Sequence, residues 1–137
     1  MLVFFDSSAF AKRYVQEIGS DTVGEWCDRA TEIGLAAIAL PEIVSAFCRL
    51  QREGKISAVQ YQQLKGALFA DIEDAAITDM SPAVIRQAVL SLEGNVLRAM
   101  DAIHIACAVE MRADVFISGD QRQCLAAKNA GLKVEKV

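Results

Sequence analysis

Histidine and proline are scarce in this sequence, which has one His and two Pro among its 137 residues. A single histidine is a poor basis for acid–base catalysis by two titrating side chains. Proline and glycine are too few, and apolar residues too many at 53%, for a disordered, fibrous or low-complexity chain. The composition therefore predicts a folded protein, and the length fits a single domain over residues 1–137.

Paired cysteines and long apolar runs are also missing. Cys27, Cys48, Cys107 and Cys124 stand at wide, unrelated spacings, which is typical of free thiols in a reducing cytosol and not of disulfides or a zinc site. No apolar run approaches the roughly 20 residues that span a bilayer. The N-terminus reaches an acid, Asp6, too early for a signal peptide. We expect a soluble, cytoplasmic protein without membrane association.

An excess of positive charge is the third absence, since the formal net charge is −4. Proteins that bind nucleic acid usually present a basic face, so this balance argues against such a partner. The objection weakens if several acids lie together to hold cations, because without four such carboxylates the chain would be neutral. The charge therefore does not exclude a nucleic-acid substrate.

Short apolar runs alternate with segments of helical periodicity along the whole chain. The runs predict strands at residues 2–5, 33–40, 75–78, 115–117 and 132–137. The segments between them predict helices, the first of which extends from residue 7 to residue 15. A later helix has Pro41 in its first turn, and another, from about residue 57 to residue 71, is expected to direct Val59 mainly inward. Strands separated by helices throughout imply a parallel sheet covered on both faces. We therefore predict a three-layer α/β/α fold without linkers or repeats.

Acidic residues follow the predicted strands. Asp6, Glu42 and Asp120 come after the first, second and fourth strands, and Asp101 begins a strongly apolar helix. Parallel sheets bind ligands outside the carboxyl ends of their strands, so these acids are expected to converge there. Carboxylates in close contact repel one another unless a cation lies among them, and oxygen ligands suit Mg2+ or Mn2+. Such a site has the chemistry of phosphodiester hydrolysis.

Each acid also has a purely structural explanation. Asp6 and Asp120 could be helix N-caps, and Glu42 and Asp101 could complement helix dipoles. We interpret Asp79 as a cap and leave it outside the site, because it follows a weak strand at the expected sheet edge. A lone histidine such as His104, three residues after Asp101, is usually packed and hydrogen-bonded in the protein interior.

Four motifs occur in series along the chain. They are Asp6-Ser7-Ser8-Ala9-x-x-Lys12-Arg13-Tyr14, Pro41-Glu42-Ile43-x-Ser45-Ala46, Leu97-Arg98-x-x-Asp101-Ala102-x-His104-x-Ala106 and Ser118-Gly119-Asp120. Together they resemble the PIN domain and, more narrowly, the VapC toxins of bacterial and archaeal toxin–antitoxin systems. The resemblance covers essentially the whole chain, in order and with fitting spacings. Its one departure is Ser118 where threonine is frequent, which keeps the hydroxyl.

The resemblance carries expectations for fold, activity and partners. It implies a parallel five-stranded sheet and a Mg2+- or Mn2+-dependent endoribonuclease. It assigns the catalytic and metal-binding roles to Asp6, Glu42, Asp101 and Asp120. It also implies a VapB-type antitoxin that obstructs the acidic site, and a homodimer.

Further roles are expected around these acids. Ser7 and Ser118 are predicted to orient the carboxylates, with helix capping as the alternative. Arg98 is predicted to meet a substrate phosphate and Lys12 to reach the RNA, with a solvated surface charge as the alternative for each. Tyr61, Leu64 and Phe69 could form part of a dimer or antitoxin surface, with core packing as the alternative.

Two other functions compete with ribonuclease activity. One is a phosphatase that uses Asp6 as a covalent nucleophile, but Ser8 stands where such enzymes usually carry a second Asp. The other is a non-catalytic binding domain with the same fold. Trapping of a phosphoaspartate would identify the first, and absence of Mn2+ and Mg2+ binding would favour the second.

Overall fold

A parallel sheet forms the centre of the computed structural model, which describes residues 1–137. Its five strands are β1 (Leu2–Phe5), β2 (Glu32–Ala36), β3 (Ala76–Thr78), β4 (Val115–Ser118) and β5 (Val134–Lys136). They lie in the order β3-β2-β1-β4-β5, and every neighbouring pair is parallel. The predicted five-stranded parallel sheet is confirmed.

Seven helices cover the two faces of the sheet. They are α1 (Ser7–Ala11), α2 (Ser20–Arg29), α3 (Ala39–Arg52), α4 (Ala58–Glu73), α5 (Pro82–Gly94), α6 (Ala99–Glu110) and α7 (Gln121–Asn129). The first four pack on one face around Phe5, Phe10 and Phe47. The last three pack on the other face, where Phe4 and Phe116 stack with their ring centroids 5.7 Å apart. Alternate residues of β1 thus enter opposite cores, as in a strand buried on both sides.

Some element boundaries differ from the predicted ones. Helix α1 ends at Ala11, because the amides of Arg13 and Tyr14 bond three residues back in tighter turns. Strand β2 ends at Ala36, a turn follows at Ala37 and Ile38, and Ala39 and Leu40 already belong to α3. A short apolar run does not distinguish a buried strand from the start of a buried helix, and this explains the error. Pro41 lies in the first turn of α3, as predicted.

Helix α4 is less buried than its apolar residues suggested. Leu68 is fully buried, and Tyr61 and Leu64 pack partly against the core. Val59, predicted to point inward, is 67% exposed, and Phe69 is also exposed. None of the helices combines the length and apolar character that a membrane crossing requires.

Candidate active site

Asp6 is a buried carboxylate at the carboxyl end of β1. It is the N-cap of α1, and its Oδ1 accepts a hydrogen bond from the backbone N–H of Ala9 at 2.8 Å. Its Oδ2 accepts a hydrogen bond from Ser118 Oγ, at the end of the neighbouring strand β4, at 2.5 Å. The residue is only 2% exposed. The structural explanation is therefore correct for Asp6, but one hydrogen bond to a helix terminus does not require burial of a charge.

Burial raises the pKa of Asp6 above its ordinary value. The hydrogen bonds from Ser118 and Ala9 and the charge of His104 lower it in part, while the charge of Asp101 raises it further. Burial therefore outweighs the hydrogen bonds and the charge of His104. A cation beside Asp6 would favour its ionised form.

Asp101 and Asp120 line one open cavity of about 600 Å³, together with Arg98 and Arg122. Asp120 is the N-cap of α7, and its Oδ1 accepts from the backbone N–H of Gln123 at 3.0 Å. Its own backbone N–H donates to Ser118 Oγ at 3.1 Å. The carboxylate of Asp101 lies in the first turn of α6 and accepts from Arg98 Nε at 3.3 Å. The cavity therefore has both acidic and basic walls.

Glu42 has different hydrogen-bond partners and lines a different cavity from Asp101 and Asp120. Its Oε1 accepts hydrogen bonds from Ser7 Oγ and His104 Nε2, each at 2.6 Å. It lines a separate cavity of about 210 Å³, with Ser7 and Arg49 among the other lining residues. Burial alone would raise the pKa of Glu42, but the hydrogen bonds from His104 and Ser7 outweigh it and the pKa is lowered. Glu42 is therefore held as a carboxylate by its neighbours.

His104 is buried on α6 with one ring nitrogen left over. Because a carboxylate can only accept, the Nε2 atom that contacts Glu42 carries a hydrogen. The other nitrogen, Nδ1, is buried without a hydrogen-bond partner. The packed, hydrogen-bonded state expected of a lone histidine is observed, with Glu42 as a partner that the sequence did not identify.

The four predicted acids do not form one preassembled metal cluster. No group of three or more His, Cys, Asp or Glu side chains is arranged to hold a metal ion. Asp6 and Asp120 are connected through Ser118, whereas Glu42 is bonded to Ser7 and His104. The four-carboxylate metal centre therefore stays a prediction.

The other predicted residues have defined contacts. Ser118 and Ser7 donate to Asp6 and Glu42, as expected of residues that orient carboxylates. The side chain of Arg98 is 85% exposed and pairs with Asp101. Lys12 Nζ donates to the backbone carbonyl of Ile18 at 2.9 Å. This contact gives Lys12 a structural role, and RNA binding by Lys12 stays a prediction.

The cap interpretation of Asp79 is wrong. Asp79 is exposed, and its carboxylate makes none of the side-chain hydrogen bonds in the structure. The N-cap of α5 is Ser81, whose side chain accepts from the backbone N–H of Val84. A serine directly before Pro82 suits this position better than an acid two residues earlier.

A match to the PIN domain family model extends over residues 3–129. The chain belongs to the PIN-domain family. Comparison with curated protein sequences gives no match for this PIN domain. Its family membership therefore rests on the family model, with the shared fold as independent support.

Solved structures share the fold over nearly the whole chain. FitAcB from Neisseria gonorrhoeae matches with a TM-score of 0.72 and 15% identity, over 96% of this chain and 95% of that one. VapBC2 from Rickettsia felis, bound to a promoter DNA fragment, matches with a TM-score of 0.68 and 14% identity, over 100% and 99%. The sarcin–ricin loop cleaving toxin VapC20 from Mycobacterium tuberculosis matches with a TM-score of 0.67 and 15% identity, over 95% of each chain.

Two residues near the acids of this PIN domain were not identified from its sequence. Arg122 lines the cavity of Asp101 and Asp120 from the first turn of α7. Gln123 is 2% exposed and contacts Ser118 and Asp101. A signal for Gln123 was present, since an Asp followed three residues later by Gln resembles a capping box. Nothing in the local sequence indicates that its side chain would be buried.

Proposed function

We propose that this PIN domain is a metal-dependent endoribonuclease that acts as the toxin of a toxin–antitoxin pair. The observation that carries the proposal is the buried Asp6 carboxyl group, whose pKa is raised by burial and by the charge of Asp101. An ionised carboxylate in this position is only partly compensated by His104 and by the hydrogen bonds from Ser118 and Ala9. A divalent cation held between Asp6 and Asp101 would supply further positive charge.

The donor chemistry of the site fits Mg2+ or Mn2+. Both ions prefer oxygen ligands and keep several waters, so few protein ligands are needed. Asp6 and Asp101 would be the principal ligands. Asp120, which lines the cavity, and Glu42 would ligate directly or through water. Only Oε1 of Glu42 is occupied by Ser7 and His104, so its second oxygen is available for this role.

The surrounding residues support phosphodiester hydrolysis. The bound ion would neutralise charge on the phosphate and make an attacking water more acidic. Arg98 and Arg122, which line the cavity beside Asp101 and Asp120, can bind phosphate oxygens through their guanidinium groups. Ser118 and Ser7 hold the carboxylates of Asp6 and Glu42 in fixed orientations.

The structural neighbours support RNA as the substrate and an antitoxin as the partner. VapC20 is described as a toxin that cleaves the sarcin–ricin loop, and another neighbour is a toxin–antitoxin complex from Klebsiella pneumoniae. We propose that a VapB-type antitoxin covers the acidic cavity with a basic side chain, and that the toxin forms a homodimer. Exposed apolar side chains on one face of α5, including Ile85 and Val89, support a protein partner.

Cleavage of RNA by the purified protein tests the enzymatic proposal. We expect activity with Mn2+ or Mg2+, none with EDTA, and products with 5′-phosphate and 3′-hydroxyl ends. Asp6→Asn should abolish cleavage, whereas Asp79→Asn, an exposed acid that also follows a strand, should retain it. Products with 2′,3′-cyclic phosphate ends, or an active Asp6→Asn protein, would contradict the mechanism. Absence of both cleavage and metal binding in calorimetry would favour a non-catalytic binding domain.

A further inference from the structure

Gln123 is a polar side chain buried in the first turn of α7. It is 2% exposed, and its buried neighbours on the helix are Cys124, Ala126 and Ala127. Burying a primary amide is costly unless its donors and acceptor are used. An apolar residue would fill this position at lower cost, so the contacts of the amide call for an explanation.

Gln123 contacts Asp101, Asp120 and Ser118 through its side chain and its backbone. The backbone N–H of Gln123 donates to Asp120 Oδ1 at 3.0 Å, and its Nε2 donates to the backbone carbonyl of Asp101 at 3.3 Å. Its Oε1 lies 3.5 Å from Ser118 Oγ, the hydroxyl that donates to Asp6 Oδ2. The Gln123 side chain therefore connects α7 with the first turn of α6 and with the end of β4, where Ser118 in turn contacts Asp6.

The contact with Asp101 matters most, because it joins α6 to α7, whereas His104 joins α6 to Glu42 and Ser7 on other helices. The N-cap of α6, Arg98, makes no side-chain capping hydrogen bond. The bond from Gln123 Nε2 to the Asp101 carbonyl is the hydrogen bond that joins α6 to α7, and no other hydrogen bond does so. Removing it would leave no hydrogen bond between α6, which carries Asp101, and α7, which Asp120 caps.

We propose that Gln123 is a positioning residue that sets the separation of Asp101 from Asp6 and Asp120, and through it the divalent-cation affinity of the site. This inference rests on the proposed metal-dependent function. Residues that orient ligands from behind typically change metal affinity or activity by about 10- to 100-fold when they are replaced. A residue that only fills space would leave the affinity unchanged.

Mn2+ binding measured by calorimetry on the full chain tests the proposal. Gln123→Met keeps the length of the side chain and removes both polar ends, and Gln123→Asn keeps the amide but is too short to reach the Asp101 carbonyl. We expect both variants to bind Mn2+ about 10- to 100-fold more weakly than the unaltered protein. In cleavage assays kcat should fall at a fixed Mn2+ concentration, while KM for RNA stays unchanged. If Gln123→Met does not fold, the affinity of Gln123→Asn alone tests the proposal.

Two control variants separate positioning from stability. Gln63→Met makes the same chemical change at an exposed site on α4 and should bind Mn2+ normally. Val84→Ala removes buried apolar volume from α5, which carries none of the four acids, and should lower stability without changing Mn2+ affinity. Unchanged affinity in both Gln123 variants would overturn the inference, as would an equal loss in Val84→Ala. Absence of Mn2+ binding by the unaltered protein would instead overturn the proposed function, and this inference with it.

Discussion

Burial disfavours the ionised form of Asp6 in the folded protein when no cation is bound. The folded-state pKa of Asp6 is raised by burial, so the folded protein binds the Asp6 proton more tightly than the unfolded chain does. The loss of stability caused by ionised Asp6 is therefore fully present above its folded-state pKa and disappears below the ordinary value of 3.8. We infer that the carboxylate at this position serves function and not stability.

Asp6→Asn should therefore raise the melting temperature at pH 7 in EDTA while abolishing cleavage. The amide is neutral and can still cap α1, and Ser118 can accept from it by turning its hydroxyl hydrogen towards Gln123 Oε1, 3.5 Å away. Each kcal/mol corresponds to roughly 4 °C for a domain of this length. Differential scanning fluorimetry from pH 3 to pH 8 measures the effect. The rise in melting temperature should vanish in acid. A melting temperature of Asp6→Asn below that of the wild type at pH 7 would contradict the prediction.

Ser118 should act on catalysis through Asp6. Ser118→Ala removes the hydroxyl that donates to the buried Asp6 carboxylate, at a cost in stability of about 1–3 kcal/mol. We expect RNA cleavage to fall by about 10- to 100-fold. Ser118→Thr keeps the hydroxyl and should restore both properties. Initial rates and urea unfolding of the three proteins make the comparison, and equal rates for Ala and Thr would exclude an orienting role.

The residue-scale predictions from sequence were good for positions that follow strands and poor for long-range contacts. Asp6 and Ser118 could be placed at the carboxyl edge of the sheet, because strand ends were visible as the ends of apolar runs. The contact of Glu42 with His104 could not be predicted, since the two residues are 62 positions apart. No local pattern reports which side chains two separate helices bring together.

Helix α4 is tied to the segment after α1 by one acid. Asp71 Oδ2 accepts from Arg13 Nε at 2.9 Å and from Tyr14 Oη at 2.6 Å. Burial alone would raise the pKa of Asp71, but the hydrogen bonds from Arg13 and Tyr14 outweigh it and the pKa is lowered. Its contribution to stability is therefore present above the ordinary value of 3.8 and is lost as the pH falls through the lower folded pKa.

Asp71→Ala should destabilise the protein at pH 7 by about 1 kcal/mol, the scale of a partly exposed ion pair and a hydrogen bond. The difference from wild type should shrink in acid below the ordinary pKa of Asp, as Asp71 becomes protonated in both states. Asp74→Ala, an exposed acid in the next turn, is the matched control. Chemical denaturation at pH 7 and pH 3 measures the free energy of unfolding of each protein. An equal loss of stability at both pH values would argue against this electrostatic origin.

The elements themselves were largely predictable because helical and strand periodicities differ. The ends of the elements were harder to predict. Residues 37–40 are apolar, so the sequence fits either a longer β2 or an earlier start of α3. In the structure Ala39 packs into the core as the first residue of α3. Val59 was misplaced for a related reason, since a helix with apolar residues on several sides does not reveal which side faces the sheet.

Mn2+ binding should be visible in the stability of the whole molecule. At a concentration about 100 times its dissociation constant, a ligand that binds only the folded state adds about 2.7 kcal/mol. The melting temperature should then rise by roughly 10 °C. EDTA should reverse the shift, and Asp6→Asn and Asp101→Asn should abolish it. A shift of the same size in Asp6→Asn would place the bound ion elsewhere.

The three-layer architecture followed from the alternation of strands and helices, but the strand order across the sheet did not. Apolar runs give the number of strands, whereas the order β3-β2-β1-β4-β5 depends on which strands pair through crossovers of very different length. The central place of β1 is what brings Asp6 between the ends of its two neighbours. The resemblance to PIN domains implied a parallel five-stranded sheet but gave no strand order.

The two edge strands, β3 and β5, are three residues long each. An exposed edge offers unpaired backbone groups to other chains, and natural proteins limit this hazard by keeping such strands short. Lys136 adds a positive charge on β5, a residue type that discourages edge-to-edge pairing. The sheet therefore offers little template for intermolecular β-aggregation. Contacts with other chains are therefore expected to use the helical surfaces, which cover both faces of the sheet.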